Sequence, residues 1–140
     1  MKGNAKQSKI YYGAMEIKCT CHLFCRREMI ESYDFGRIVI DGKEYTSDVI
    51  IYPDHVDGNW WRKEGHRLQV VDIEKAIEEK PEILIVGTGA SGLMEVPKEV
   101  ESYITSRGIR LVVDRTKEAC KAYNRLSKSA KTIAALHLTC

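Results

Sequence analysis

Four branched apolar residues in a row, Ile83-Leu84-Ile85-Val86, run straight into the glycine-rich stretch Gly87-Thr88-Gly89-Ala90-Ser91-Gly92. The apolar run is short, does not alternate and is introduced by Pro81, which fits a strand buried on both faces. The glycines behind it permit a sharp turn and the close approach of a ligand or another backbone. Residues beyond Gly92 read as the rest of a small α/β unit. Pro97 suits the first turn of a helix whose buried face is Val100, Tyr103 and Ile104, with Gly108 as its stop. A strand over 109–113 ends at Asp114. A helix from Thr116 to Lys128 carries Ala119, Cys120, Tyr123 and Leu126 at helical spacing, and 132–138 closes as a buried strand. Short links between these elements imply right-handed parallel crossovers.

Upstream the pattern is sheet. Asp41-Gly42 lies between β-rich flanks and predicts a type I′ hairpin, because both central residues must tolerate positive φ. Asp48-Val49-Ile50-Ile51-Tyr52 continues as strand until Pro53 removes a ladder donor. Asp57-Gly58 offers a second turn, with 59–62 returning along it as part of an antiparallel meander. Asp72 is placed to cap a helix to Lys80 with Ile73, Ala76 and Ile77 inward. The expected architecture is α/β: a single compact three-layer domain, an N-terminal antiparallel β-meander packed with a small α/β sheet. Residues 1–28 show no useful periodicity and read as a flexible N-terminal extension, leaving the domain at 29–140.

A chain of 140 residues has room for one core. No apolar run approaches the roughly 20 residues that span a bilayer, and no secretory leader is expected, which makes the cytoplasm the default. The total charge is +2. Lys2, Lys6, Lys9, Lys18, Arg26 and Arg27 precede Met29 against Glu16 and Glu28 alone, so the domain itself is net acidic. Phosphate-backbone binding needs a basic excess, so nucleic acid is not an expected partner. Cys19, Cys21, Cys25, Cys120 and Cys140 make a poor disulfide framework and are expected as free thiols. Cys19, Cys21, His22 and Cys25 have the donor types of a zinc site but lack paired Cys-x-x-Cys knuckles. No metal and no cofactor are expected.

Gly87-x-Gly89-x-x-Gly92 after a strand, with Asp114 ending the next strand, meets the outline of a dinucleotide fingerprint. The details run against it. Leu93 to Val96 intervene before the helix, Glu95 would repel a diphosphate, and too few strands come after the motif. Trp60, Trp61, Arg62, His66 and Arg67 form a second cluster. Adjacent tryptophans on a strand point oppositely, so one is core and one exposed. His66 has the chemistry of a general base, but no paired nucleophile accompanies it. Cys120 reads as a buried, inert thiol, His137 as a core histidine between Leu136 and Leu138, and Cys140 as an accessible thiol. A Cys120–His137 nucleophile pair is not favoured.

The ordered set Tyr33-Asp34-Phe35-Gly36, Tyr45-x-x-Asp48, Trp61-Arg62, Gly65-His66, Pro81 to Gly89, Asp114-x-x-x-x-Ala119-Cys120-x-x-Tyr123-Asn124 and Thr132 to Leu136 resembles the Mth-domain family of small α/β proteins. That family includes an adipogenesis-associated protein of animals and a mitochondrial complex I assembly factor. The resemblance implies a three-layer fold of its own kind, assembly or regulatory roles, and no general catalytic mechanism. Many relatives carry an acid, then an arginine, shortly after Tyr-Asn; here Leu126 to Lys131 stands instead.

The expected function is therefore a non-enzymatic interaction or assembly module with a protein partner, homodimerisation being left open. The alternative is a small-ligand or nucleotide-binding domain using the Gly87–Gly92 loop. Candidate binding residues are Trp60, Trp61, Arg62, His66, Gly87, Thr88, Gly89, Gly92 and Asp114, with no catalytic residue.

Overall fold

The computed structural model of the chain describes residues 29–140. The expected extension over 1–28, with Cys19, Cys21, His22 and Cys25, lies outside the described residues. Among the described residues eleven elements succeed one another: β1 Ile30–Asp34, β2 Arg37–Ile40, β3 Lys43–Tyr45, β4 Val49–Ile51, β5 Val56–Asp57, α1 Val70–Glu78, β6 Ile83–Thr88, α2 Lys98–Thr105, β7 Arg110–Asp114, α3 Thr116–Leu126 and β8 Thr132–His137.

The strand β6 is buried at every position and sits inside a five-stranded sheet of order β5-β4-β8-β6-β7. It pairs in parallel with both β7 and β8. Its side chains divide by parity. Leu84 and Val86 join a core with Ile73, Ala76 and Ile77 of α1 and Val100 and Ile104 of α2. Ile83 and Ile85 face the opposite way, onto Ala119, Cys120 and Tyr123 of α3 and Ile38 and Ile40 of β2. The layers are thus α1 and α2, then the large sheet, then α3 with the small antiparallel sheet β1-β2-β3. This is the expected α/β domain of three layers.

The small sheet is made by local chemistry. Asp41 and Gly42 both adopt positive φ, 51° and 80°, as a type I′ turn requires, and Ile40 pairs with Lys43 across it. Asn124 of α3 then holds the sheet's first strand at both backbone groups. Its carbonyl accepts from Ile30 N at 2.9 Å and its amide donates to Ile30 O at 2.8 Å. The side-chain amide thus completes the hydrogen bonding of a strand end that would otherwise be exposed.

Three expectations shift. Residues 49–57 do not extend the N-terminal meander; β4 pairs antiparallel with β8 and carries β5 outward, so both belong to the large sheet. Residues 59–62 do not return as a strand. Asn59 N donates to the Asp57 carboxylate at 3.0 Å, a local turn bond that diverts the chain, and Trp60 N donates to Asp48 O at 2.8 Å. Asp72 is not the cap of α1 but sits one turn in, where its carboxylate accepts from Gln69 N at 2.8 Å. The helix starts earlier because this reciprocal bond satisfies the amide before the first turn.

Cys120 is buried against this core, and burial pushes its thiol up to about 12. Alkylation of the native protein at pH 8 is therefore expected to spare Cys120 and modify Cys140, which is partly exposed. Peptide mass mapping before and after denaturation checks this, with Cys120 labelled only after denaturation.

Candidate functional site

The parallel strands β6 and β8 end side by side, Thr88 opposite His137. The antiparallel partner β4 begins at the same level, with Val49 opposite Leu136. Asp48, one residue before β4, is therefore delivered to the carboxyl end of β8. Its Oδ1 accepts from Leu138 N at 2.7 Å, and its Oδ2 accepts from Arg62 Nη1 at 2.8 Å. His137 Nδ1 lies 2.8 Å from the same Oδ2. A carboxylate only accepts, so this contact assigns a proton to Nδ1 and leaves Nε2 as the ring nitrogen outside the network. Burial alone would raise the Asp48 carboxyl, but the bonds from His137, Leu138 N and Arg62 outweigh it and hold the group below its ordinary range.

Arg62 is as enclosed as the histidine. Its Nη2 donates to Gly65 O at 3.0 Å, and its guanidinium stacks on the Trp60 ring, 4.6 Å from the centroid. Trp60 is the buried member of the tryptophan pair and donates Nε1–H to Asp72 O at 2.9 Å; Trp61 is 73% exposed. Arg62 thus ties the 59–66 loop to the end of β8.

His137 Nε2 is buried without a hydrogen-bond partner. An unsatisfied buried polar atom of this kind costs about 1–3 kcal/mol. His66 approaches it edge-on, the ring centroids 5.9 Å apart and the planes at 63°.

The glycine loop holds the chain's own last residues. Gly89, at φ 106°, runs against Thr139 and Cys140 so closely that a Cβ would overlap their backbone atoms. Ala90 N donates to Thr139 O at 3.1 Å and Leu93 N to Cys140 O at 3.2 Å. Gly89 N donates to Thr116 Oγ1 at 2.9 Å, and the Thr116 hydroxyl donates to His137 O at 2.5 Å. Gly92 N and Met94 N turn back to Gly89 O and Thr88 O. The amides of Gly89, Ala90, Gly92, Leu93 and Met94, which would help to cradle a phosphate, are therefore already engaged. Asp114 is exposed, with its carboxylate on Arg115 N at 2.8 Å and its carbonyl accepting from Thr88 Oγ1 at 3.1 Å.

Of the candidate residues, Arg62 and His66 meet at the end of β8, with Trp60 behind them. Gly87, Thr88, Gly89 and Gly92 lie alongside as the tail's support, while Asp114 faces solvent beyond them. Asp48, Thr116, His137 and Cys140 were not among the binding candidates. Asp48 is 89 residues from His137 in sequence, and its only signal was its place in the Tyr45-x-x-Asp48 string. Thr116 carries no signal, since a threonine opening a helix is ordinary.

A mixed α/β domain whose parallel strands end in a buried Asp–His–Arg cluster is the class that fold and site define. The chain belongs to the family described as "Protein of unknown function (DUF498/DUF598)", which it matches over residues 30–137. It is similar to the conserved hypothetical protein PH1505 of Pyrococcus horikoshii OT3, with 30% identity over 79% of this chain and 98% of that one at a TM-score of 0.69. It is likewise similar to MT938, with 30% identity over 81% of this chain and 99% of that one at 0.68. A Mth938-like domain protein of Bordetella pertussis shares the fold at 15% identity, covering 89% of this chain and 91% of that one at a TM-score of 0.57. Among the described residues no helix is long and apolar enough to cross a membrane.

Proposed function

We propose that this protein is a non-enzymatic interaction module of the cytoplasm, one that engages a partner protein during assembly of a larger complex. The partner docks on the end of the molecule where β6 and β8 stop. One observation carries this reading: three large apolar side chains are exposed on three separate loops that all attach to residues 137–140. Phe35 is 67% exposed and precedes Gly36, whose N–H donates to Leu138 O. Trp61 is 73% exposed and precedes Arg62, which contacts His137. Leu93 is 59% exposed and its own N–H donates to Cys140 O. Single exposed apolar residues need no explanation, but a group gathered on one end of a domain fits a binding surface, and tryptophan is a frequent anchor. The occupant that fits is an apolar segment of a partner protein.

Photo-crosslinking tests the reading. A photoreactive phenylalanine analogue is placed in turn at positions 35, 61 and 93, with position 118 on α3 as control. The expected result is one shared partner captured from the three loop positions and not from the control, with capture lost in Trp61→Asp at unchanged melting temperature. Adducts of twice the chain mass would make the occupant a second copy. No adduct common to the three positions, or equal capture from position 118, would overturn the proposal.

A further inference from the structure

The docking reading leaves a buried imidazole nitrogen unexplained, and the residues around it form a donor set of their own. We infer that His66, His137 and Cys140 form a binding site for a zinc-class transition-metal ion. One donor atom from each of the three lies within 4.8 Å of the others. This inference stands whether or not a protein docks on the same end.

The arrangement has the parts that a metal site requires. His137 is held rigidly from behind: its side chain is 7% exposed and its Nδ1 is fixed by Asp48. A carboxylate behind a ligating imidazole sets its tautomer and raises its basicity. Because Nδ1 is occupied, the only ring atom left for an ion is Nε2, the buried nitrogen without a partner. His66 is exposed, but its backbone is anchored, its carbonyl accepting from Glu95 N at 2.7 Å. Cys140 is positioned by the bond from Leu93 N to its carbonyl. The glycine loop thereby acquires a purpose: Gly89 lets the tail pass close enough to present a thiol beside two imidazoles.

Two imidazoles and a thiolate are borderline-to-soft donors that suit zinc and its neighbours and do not suit magnesium or calcium. Tetrahedral zinc, with bonds of about 2.0–2.3 Å, sets its donors roughly 3.3–3.6 Å apart. The cluster closes to that size by rotamer changes of His66 and Cys140, the two residues that are not enclosed. On binding, the Cys140 thiol proton is released to solvent and the thiolate becomes the ligand. The fourth position stays open for water or a donor from another molecule.

Cobalt(II) is the probe, since its thiolate-to-metal charge-transfer band reports sulfur ligation directly. The chain carries Cys19→Ser, Cys21→Ser and Cys25→Ser throughout, so that Cys140 is the accessible thiol that remains and Cys120 stays buried. We expect one cobalt per chain, a thiolate band that zinc abolishes by displacement, and loss of that band in Cys140→Ser. His66→Ala alters an exposed side chain, so it should leave melting unchanged while weakening binding at least roughly tenfold, as loss of one of three ligands implies. Absence of the thiolate band at millimolar cobalt would overturn the site. So would a band of equal strength and affinity in His66→Ala and Cys140→Ser.

Discussion

Replacing Asp48 by alanine is expected to destabilise the domain by about 3–5 kcal/mol, the cost of leaving a buried charge without its partner. The change strands three groups together. Arg62, with its side chain 5% exposed, loses the carboxylate at 2.8 Å, and His137 Nδ1 and Leu138 N lose their acceptor. For a domain of this size the loss corresponds to a fall in melting temperature of roughly 10–20 °C. Asp48→Asn should be milder, because the amide oxygen still accepts from Leu138 N, although its NH2 cannot accept from Arg62. Thermal melts of the two variants beside wild type check the order. Alanine no worse than asparagine, or a loss under 1 kcal/mol as for a surface pair, would show that Arg62 finds water in the folded state.

Gly89→Ala is the second large effect, and it comes from backbone rather than charge. At φ 106° an alanine is strained, which alone costs about 1–3 kcal/mol. Its Cβ would also overlap Thr139 O and the Cys140 carbonyl, which belong to backbone and have no rotamer to adjust. The tail must then leave the loop, which forfeits the bonds from Ala90 N and Leu93 N. Gly42→Ala is the matched control, with φ 80° but nothing within 4 Å of the added carbon. We expect Gly89→Ala to melt well below Gly42→Ala and to speed alkylation of Cys140. Equal melting temperatures and an unchanged alkylation rate would mean that strain alone acts at position 89.

Much of the fold was legible because it rests on local physics. Ile83 to Val86 can only be a strand covered on both sides, and Asp41-Gly42 carries positive φ wherever it occurs in a tight hairpin. The inward faces of all three helices come from the 3.6-residue period. The boundaries that moved did so where a side chain competed with the backbone, as Asp72 does at Gln69 N and Asp57 at Asn59 N. The assignment of β4 to the large sheet was not legible, because a three-residue apolar strand carries no mark of which neighbours it will choose. That choice brings Asp48 to His137, across a separation of 89 residues.

The candidate site divides along the same line. By itself the sequence determined that residues 83–92 form a buried strand followed by a loop of unusual backbone freedom. These are properties of neighbouring residues, fixed by sterics and periodicity before the chain is compact. Only the tertiary structure decided what the loop packs against. The register of β4 on β8 places a carboxylate behind His137, and the close approach at Gly89 seats Cys140 near His66. Both depend on where distant segments meet, and burial, not spacing, makes Asp48 and Arg62 a fixed pair rather than two solvated charges.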